Sequence, residues 1–266
     1  MRPALNRIWR IFATGFAFAF FGCGALFLSL FCFPILRQLY QNQAQLKRHT
    51  QHTVHHVFRF FFWMLKVLGL LQLQVTGREK LENLRGTLII ANHPTLLDYV
   101  LFVALMPEVD CVVKPALLQN FFLRGVVRAS RYIPTTDDHA WMEECSARLK
   151  SGCNVILFPE GTRSNAYSLK PFRRSAARIA GESGAAILPI VLTCHPPTLM
   201  KGQAWYEIPG KKPILALRIC DLIWPSSMPE EAANPWIFAR KFTKYLELFY
   251  DTELRSPKTD EKPAAF

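Results

Sequence analysis

Thr87-Leu88-Ile89-Ile90-Ala91-Asn92-His93-Pro94-Thr95-Leu96-Leu97-Asp98 is the stretch on which the architecture of this chain turns. Its first five residues form an apolar run of the kind that a strand buried on both faces requires. Pro94 and Thr95 suit the first turn of a helix, so strand passes into helix within a few residues. His93 then stands on the turn itself, and Asp98 lies about one turn into the helix. In open α/β sheets, ligand sites gather beyond the carboxyl ends of strands. A histidine there, with a carboxylate in reach, has the makings of a general base and its orienting partner. Asp98 would keep one imidazole nitrogen protonated and leave the other free to take a proton from a hydroxyl. The spacing alone also fits an ordinary capped turn.

A second turn of the same kind lies downstream. Asn154-Val155-Ile156-Leu157-Phe158 reads as a buried strand, and Pro159-Glu160-Gly161-Thr162-Arg163-Ser164 follows it directly. Gly161 permits an unusual turn, and Glu160 and Arg163 set opposite charges at a strand end. A guanidinium is a planar fork suited to phosphate, and a carboxylate can fix hydroxyls. Further strands are expected at 109–113, 186–191 and 214–219, and helices at 97–106, 141–150, 172–183 and 235–250. Strands alternating with helices imply an α/β fold with a mixed, largely parallel sheet flanked by helices.

Working outward, the N-terminal third has a different character. Ile11 to Leu36 contains no charge and exceeds the roughly 20 apolar residues that cross a bilayer. Nine basic residues precede the first acidic one, Glu79, and they carry most of the formal net charge of +12. Basic residues flanking apolar runs suit anionic phospholipid headgroups rather than nucleic acid, which asks for stacking platforms in a soluble groove. The segment is expected to be retained as a membrane-inserted helix, since no convincing cleavage site follows it. Both flanks are basic, so a hairpin or in-plane insertion bent near Gly22–Gly24 or Pro34 competes with a single span. Val57 to Leu71, aromatic with Arg59 and Lys66 interspersed, reads as an interfacial helix. His49, His52, His55 and His56 fall along one helix face and read as a polar stripe, not a metal site. Seven cysteines with no C-x-x-C pair argue against a disulfide framework and fit a reducing compartment. The expected organisation is a membrane-anchoring region at 1–71, one α/β domain at 72–255 and a disordered tail at 256–266.

Asn92–Asp98 matches the pattern N-H-x-S/T-x-x-D, and Phe158–Ser164 is F-P-E-G-T-R-S without departure. With Leu188-Pro189-Ile190 as an apolar strand, Lys114 ahead of a middle block and Pro171–Ser175 after the second, the chain resembles the glycerolipid (lysophospholipid) acyltransferases. The resemblance spans roughly 77–192. It implies transfer of a fatty acyl group from acyl-CoA or acyl carrier protein to a hydroxyl of lysophosphatidate or a related lysolipid, in phospholipid biosynthesis. It implies His93 as general base with Asp98 its partner, and Asn92, Glu160, Gly161, Thr162 and Arg163 as substrate-binding residues, with Lys114 aiding a phosphate. Attack would be direct, and no G-x-S-x-G elbow supplies a serine nucleophile. No metal or redox cofactor is implied. The catalytic domain is expected on the cytoplasmic side of the inner membrane. One position departs from the family: Thr135 stands where the middle block carries an arginine associated with acceptor phosphate. Arg128 or Arg131 could substitute, or the acceptor could be a lyso-amino-acid lipid or another specialised lipid. A lipid-binding protein without catalysis and a thioester hydrolase are the remaining readings.

Overall fold

The structure is a computed structural model, and it describes residues 3–164, 169–227 and 234–255. The tail expected to be disordered, 256–266, lies outside the described residues. The helices are α1 (Pro3–Phe27), α2 (Phe33–Leu39), α3 (Gln43–Val67), α4 (Asp98–Leu105), α5 (Ala116–Gln119), α6 (Arg124–Ala129), α7 (Ala140–Lys150), α8 (Ser175–Ser183) and α9 (Pro235–Arg255). The strands are β1 (Gln72–Thr76), β2 (Leu88–Ala91), β3 (Asp110–Val113), β4 (Ile133–Pro134), β5 (Val155–Leu157), β6 (Ile187–His195) and β7 (Ile214–Ile219).

The strands form one sheet in the order β1-β7-β6-β2-β5-β3-β4. Five neighbouring strands, β6 through β4, run parallel, whereas β7 is antiparallel to β6 and β1 parallel to β7. The sheet is therefore mixed and largely parallel, as the alternation of strands and helices predicts. Residues of β2 alternate between its two covered faces. Ile89 and Ala91 join the core beneath α3 and α4, and Leu88 and Ile90 join the core beneath α7, α8 and α9. That double burial is why the strand is apolar throughout. The Tyr250 hydroxyl of α9 donates to Ile90 O at 2.7 Å and accepts from Ile190 N at 3.2 Å, fixing that helix across β2 and β6.

The N-terminal region differs from the expectation in two respects. First, neither Gly22–Gly24 nor Pro34 breaks the chain. The helix runs on through a five-residue π-helical segment, Leu28–Cys32, into α2. The reversal comes at Tyr40–Asn42, where the Asn42 carboxamide caps α3 by accepting from Ala44 N and Gln45 N. Wider π-helical winding just ahead of Pro34 lets the helix pass a residue with no N–H to donate. Second, Val57–Leu71 is not a separate interfacial helix. Its helical part is the second half of α3, which buries Phe58, Phe61, Phe62 and Leu65 and leaves Phe60 and Trp63 outside. α1 lies antiparallel to it, with Phe21 packed on Phe58 and Phe61 and the Trp9 indole donating to Leu68 O. Leu5–Leu39 is one helix of 35 residues, long and apolar enough to cross a membrane. Residues 1–71 are not packed apart from the rest, since α1 and α3 share a core with the sheet.

The histidine stripe lies on α3. His49 stacks on Tyr40, His52 meets Glu108, and His55 is buried with Nδ1 on Val103 O.

Candidate active site

β2 and β5 are adjacent and parallel, with Ile90 opposite Leu157. Parallel neighbours send their carboxyl ends the same way, so the His93 turn and the Glu160 turn emerge side by side. Asp98 is fully buried. Its Oδ2 accepts from His93 Nδ1 at 2.9 Å and from Thr95 N at 2.7 Å, and its Oδ1 accepts the Thr95 hydroxyl. With every neighbour a donor to that carboxylate, Nδ1 carries the proton and Nε2 is left as the imidazole's acceptor. The ring stacks on Phe158, centroids 4.2 Å apart, so its plane is fixed as well as its tautomer.

Glu160 and Asn92 are placed differently from the roles their motif implies. Glu160 is 4% exposed, and its carboxylate accepts from His93 N (2.9 Å), Ser164 Oγ (2.6 Å) and Lys170 N (3.0 Å). Ser164 N in turn donates to His93 O at 2.7 Å. The glutamate thus ties the two turns together instead of facing a headgroup. Asn92, equally buried, donates from Nδ2 to Leu192 O and accepts from Leu192 N, both at 2.8 Å. Its amide acts as one more rung between β2 and β6.

The remaining candidates line one cavity of about 1380 Å³, as His93 does. Gly161, Thr162, Arg163 and Lys114 stand on its wall, joined by Thr135, Arg173 and Lys201. Lys114 and Thr135 reach this edge because β3 and β4 are parallel to β5 and end there. Gly161 has φ +66°, and a Cβ on it would lie 2.7 Å from Arg173 Nε, so only glycine brings the turn this close to that guanidinium. Arg163 Nη1 donates to Leu199 O (3.0 Å) and Met200 O (3.2 Å), holding the segment after β6 at the cavity. Arg128 and Arg131 are not on the wall, and Arg131 instead meets Gln43 on α3. Arg10, Arg173 and Lys201 are the cations on the wall that the sequence did not place here. A double-arginine after F-P-E-G-T-R-S was a signal for Arg173, and nothing in the order of residues marks Arg10 or Lys201. Most of the rest of the wall is apolar, including Ala17, Phe21 and Leu28 of the N-terminal helix and its π-helical extension, Phe58 and Phe61 of α3, and Val126 of α6.

Among the described residues no aspartate or glutamate lines the cavity, while Arg10, Lys114, Arg163, Arg173 and Lys201 do. The resulting field favours an anionic guest. Cys194 lies close enough to Asp98 to feel its charge, and its thiol is pushed up to about 11, chiefly by burial. It is protonated at neutral pH and so is no competing nucleophile.

The family model described as Acyltransferase matches residues 72–193, which contain both turns and Lys114. Over those residues, just under half of its length, the chain is similar to acyltransferases. Among curated proteins, the chain is 24% identical over 204 residues to mouse 1-acyl-sn-glycerol-3-phosphate acyltransferase alpha, covering 74% of this chain and 68% of that one. It is 30% identical over 146 residues to the 1-acyl-sn-glycerol-3-phosphate acyltransferase of coconut, 52% of this chain and 46% of the relative. The chloroplastic 1-acyl-sn-glycerol-3-phosphate acyltransferase LPAT1 of Arabidopsis thaliana is 26% identical over 145 residues, and the match spans only 40% of its length. The crystal structure of the 1-acyl-sn-glycerophosphate (LPA) acyltransferase of Thermotoga maritima superposes with a TM-score of 0.64 at 18% identity. That match covers 96% of this chain and 99% of the other, so the fold is shared almost end to end.

Proposed function

We propose that the protein moves a fatty acyl group from acyl-CoA or acyl carrier protein to a hydroxyl of lysophosphatidate or a related lysolipid, at a membrane. One observation carries this reading: the His93–Asp98 pair opens on a single cavity whose wall combines cationic side chains with a largely apolar surface. A lysophospholipid combines charged and apolar parts in a matching way. The cavity also exceeds the roughly 300–1,000 Å³ of an ordinary small-molecule site, as a two-substrate reaction with long chains requires. The names of the relatives support the same acceptor.

In this reaction the acceptor hydroxyl gives its proton to His93 Nε2 as its oxygen bonds to the thioester carbonyl carbon. The carbonyl π pair moves onto oxygen. When the tetrahedral intermediate collapses, the C=O re-forms, the C–S bond breaks, and the proton on Nε2 passes to the departing sulfur. The products are an ester and a thiol, and His93 is again neutral. Asp98 holds the imidazole in the required tautomer and stabilises the imidazolium between the two transfers. Lys114, Arg163, Arg173 and Lys201 are available for the acceptor phosphate.

Thr135 favours a second acceptor. It lines the cavity where the family carries an arginine, and neither Arg128 nor Arg131 takes its place there. A lysolipid with a headgroup other than a bare phosphate, such as a lyso-amino-acid lipid, would fit this less cationic corner. The apolar helix Leu5–Leu39 is the proposed anchor, with the catalytic domain on the cytoplasmic side of the inner membrane. Purified protein incubated with a labelled acyl thioester and a panel of lysolipids tests both readings. Esterified lysophosphatidate supports the first, and product confined to another lysolipid supports the second. His93→Ala should lower turnover at least about a hundredfold while membrane association persists. Near-normal turnover would remove His93 from its role.

A further inference from the structure

The face of the sheet away from the N-terminal helices carries cations that the proposed chemistry leaves unused. Residues 161–181 and 232–246 contain five and three basic residues and no acidic one. The two segments pack together, since Phe238 of α9 lies against Gly181 near the end of α8, and Phe172, just before α8, donates from its N–H to Glu247 of α9. The helices are therefore antiparallel neighbours. On α8 the spacing of four sets Arg178 one turn beyond Arg174, which directly precedes the helix. On α9 the same spacing aligns Trp236, Arg240 and Lys244. The Arg178 guanidinium lies over the Trp236 ring, 5.1 Å from its centroid, which joins the two rows. Arg174, Arg240 and Lys244 are exposed, and among the described residues no carboxylate pairs with them or with Arg178. The strip begins at the active site, because Arg173, next to Arg174, lines the cavity.

We propose that this two-helix strip docks an acidic carrier protein that presents the acyl thioester on a phosphopantetheine arm. The inference rests on the acyl-transfer reading and assigns its donor. Three features favour this occupant. The strip belongs to the core layer of α7–α9, whereas the apolar N-terminal helix belongs to the opposite layer, so a bilayer holding α1 does not lie against it. Its cations are spread along two helix surfaces and outside the cavity wall, which suits an acidic helix better than the clustered phosphates of a nucleotide. Its start at Arg173 puts the arm's path directly into the cavity.

The test uses full-length protein, one lysolipid acceptor, and palmitoyl groups carried either by an acyl carrier protein or by CoA. Arg174→Glu/Arg178→Glu and, on the other helix, Arg240→Glu/Lys244→Glu should each raise KM for the carrier-protein donor at least tenfold. Each should leave kcat/KM for palmitoyl-CoA within twofold. Added salt should weaken the wild-type protein's use of the carrier-protein donor and leave its use of CoA nearly unchanged. Binding of the fluorescently labelled holo carrier protein, read by anisotropy, should be lost in the same variants. If the carrier protein binds in this strip-dependent way but neither donor yields ester, the acyl-transfer reading falls and the docking surface stands. Equal losses with both donors, or carrier-protein binding unaffected by either pair, would overturn the proposal. So would loss of binding to phosphatidylglycerol vesicles with carrier-protein use intact, which would make the strip a lipid face.

Discussion

A carboxylate at a strand end can face a substrate or hold the turns that do, and its hydrogen-bond partners decide between the two. For Glu160 they are the His93 amide, the Ser164 hydroxyl and the Lys170 amide. Glu160→Gln puts an amide N–H where only acceptors are wanted, so the His93 turn should shift. We expect kcat to fall at least about tenfold with acceptor KM changed less than about threefold. The reverse split, measured in steady-state assays, would return Glu160 to the acceptor. Asn92→Ala strands the buried N–H and C=O of Leu192. Chemical denaturation should show a loss of roughly 1–3 kcal/mol, the cost of leaving such groups unsatisfied. His93 and Asp98 were legible in the sequence because they meet within one turn. The inward contacts of Glu160 and Asn92 were not, because the partners that join separate elements, His93 and Leu192, lie 67 and 100 residues away.

Among the elements, the strands buried on both faces were readable, since a parallel strand covered by helices must be apolar at every position. β1 alternates polar and apolar residues at the sheet edge, and β4 has two residues, so neither offered that signal. α3 was divided at Val57 because its first half is polar and its second aromatic. The structure makes it one helix by burying polar groups with partners: Gln51 donates to Asp110 Oδ1, and His55 meets Val103 O. Burial holds the His55 pKa below its ordinary value of 6.5, with neighbouring His56, Arg59 and His52 acting in the same direction. The unfolded chain therefore takes up this proton first as pH falls. Stability should decline as pH drops below about 6.5, until the folded histidine also titrates. His55→Gln, which can still donate to Val103 O, should flatten that decline in thermal melts across the same window. An unchanged slope would clear His55 of the effect.

For the molecule as a whole, α1 and α3 return the chain on itself, so the N-terminus and the start of β1 lie at the same end of the helix pair. If that pair enters the bilayer as a hairpin, a tag at Met1 should stay protected from protease added to spheroplasts and become accessible on lysis. Cleavage from outside would establish a single span. The cavity draws its wall from both parts of the chain. Ala17, Phe21 and Leu28 line it together with Phe58, Phe61 and Val126, and His93 stands on the same wall. With α1 in the bilayer, as proposed, a lysolipid has no need to desorb into water before reacting. It can slide sideways from its leaflet. Turnover should then follow the mole fraction of lysolipid within the surface, and diluting it with inert detergent at constant total concentration should slow the enzyme.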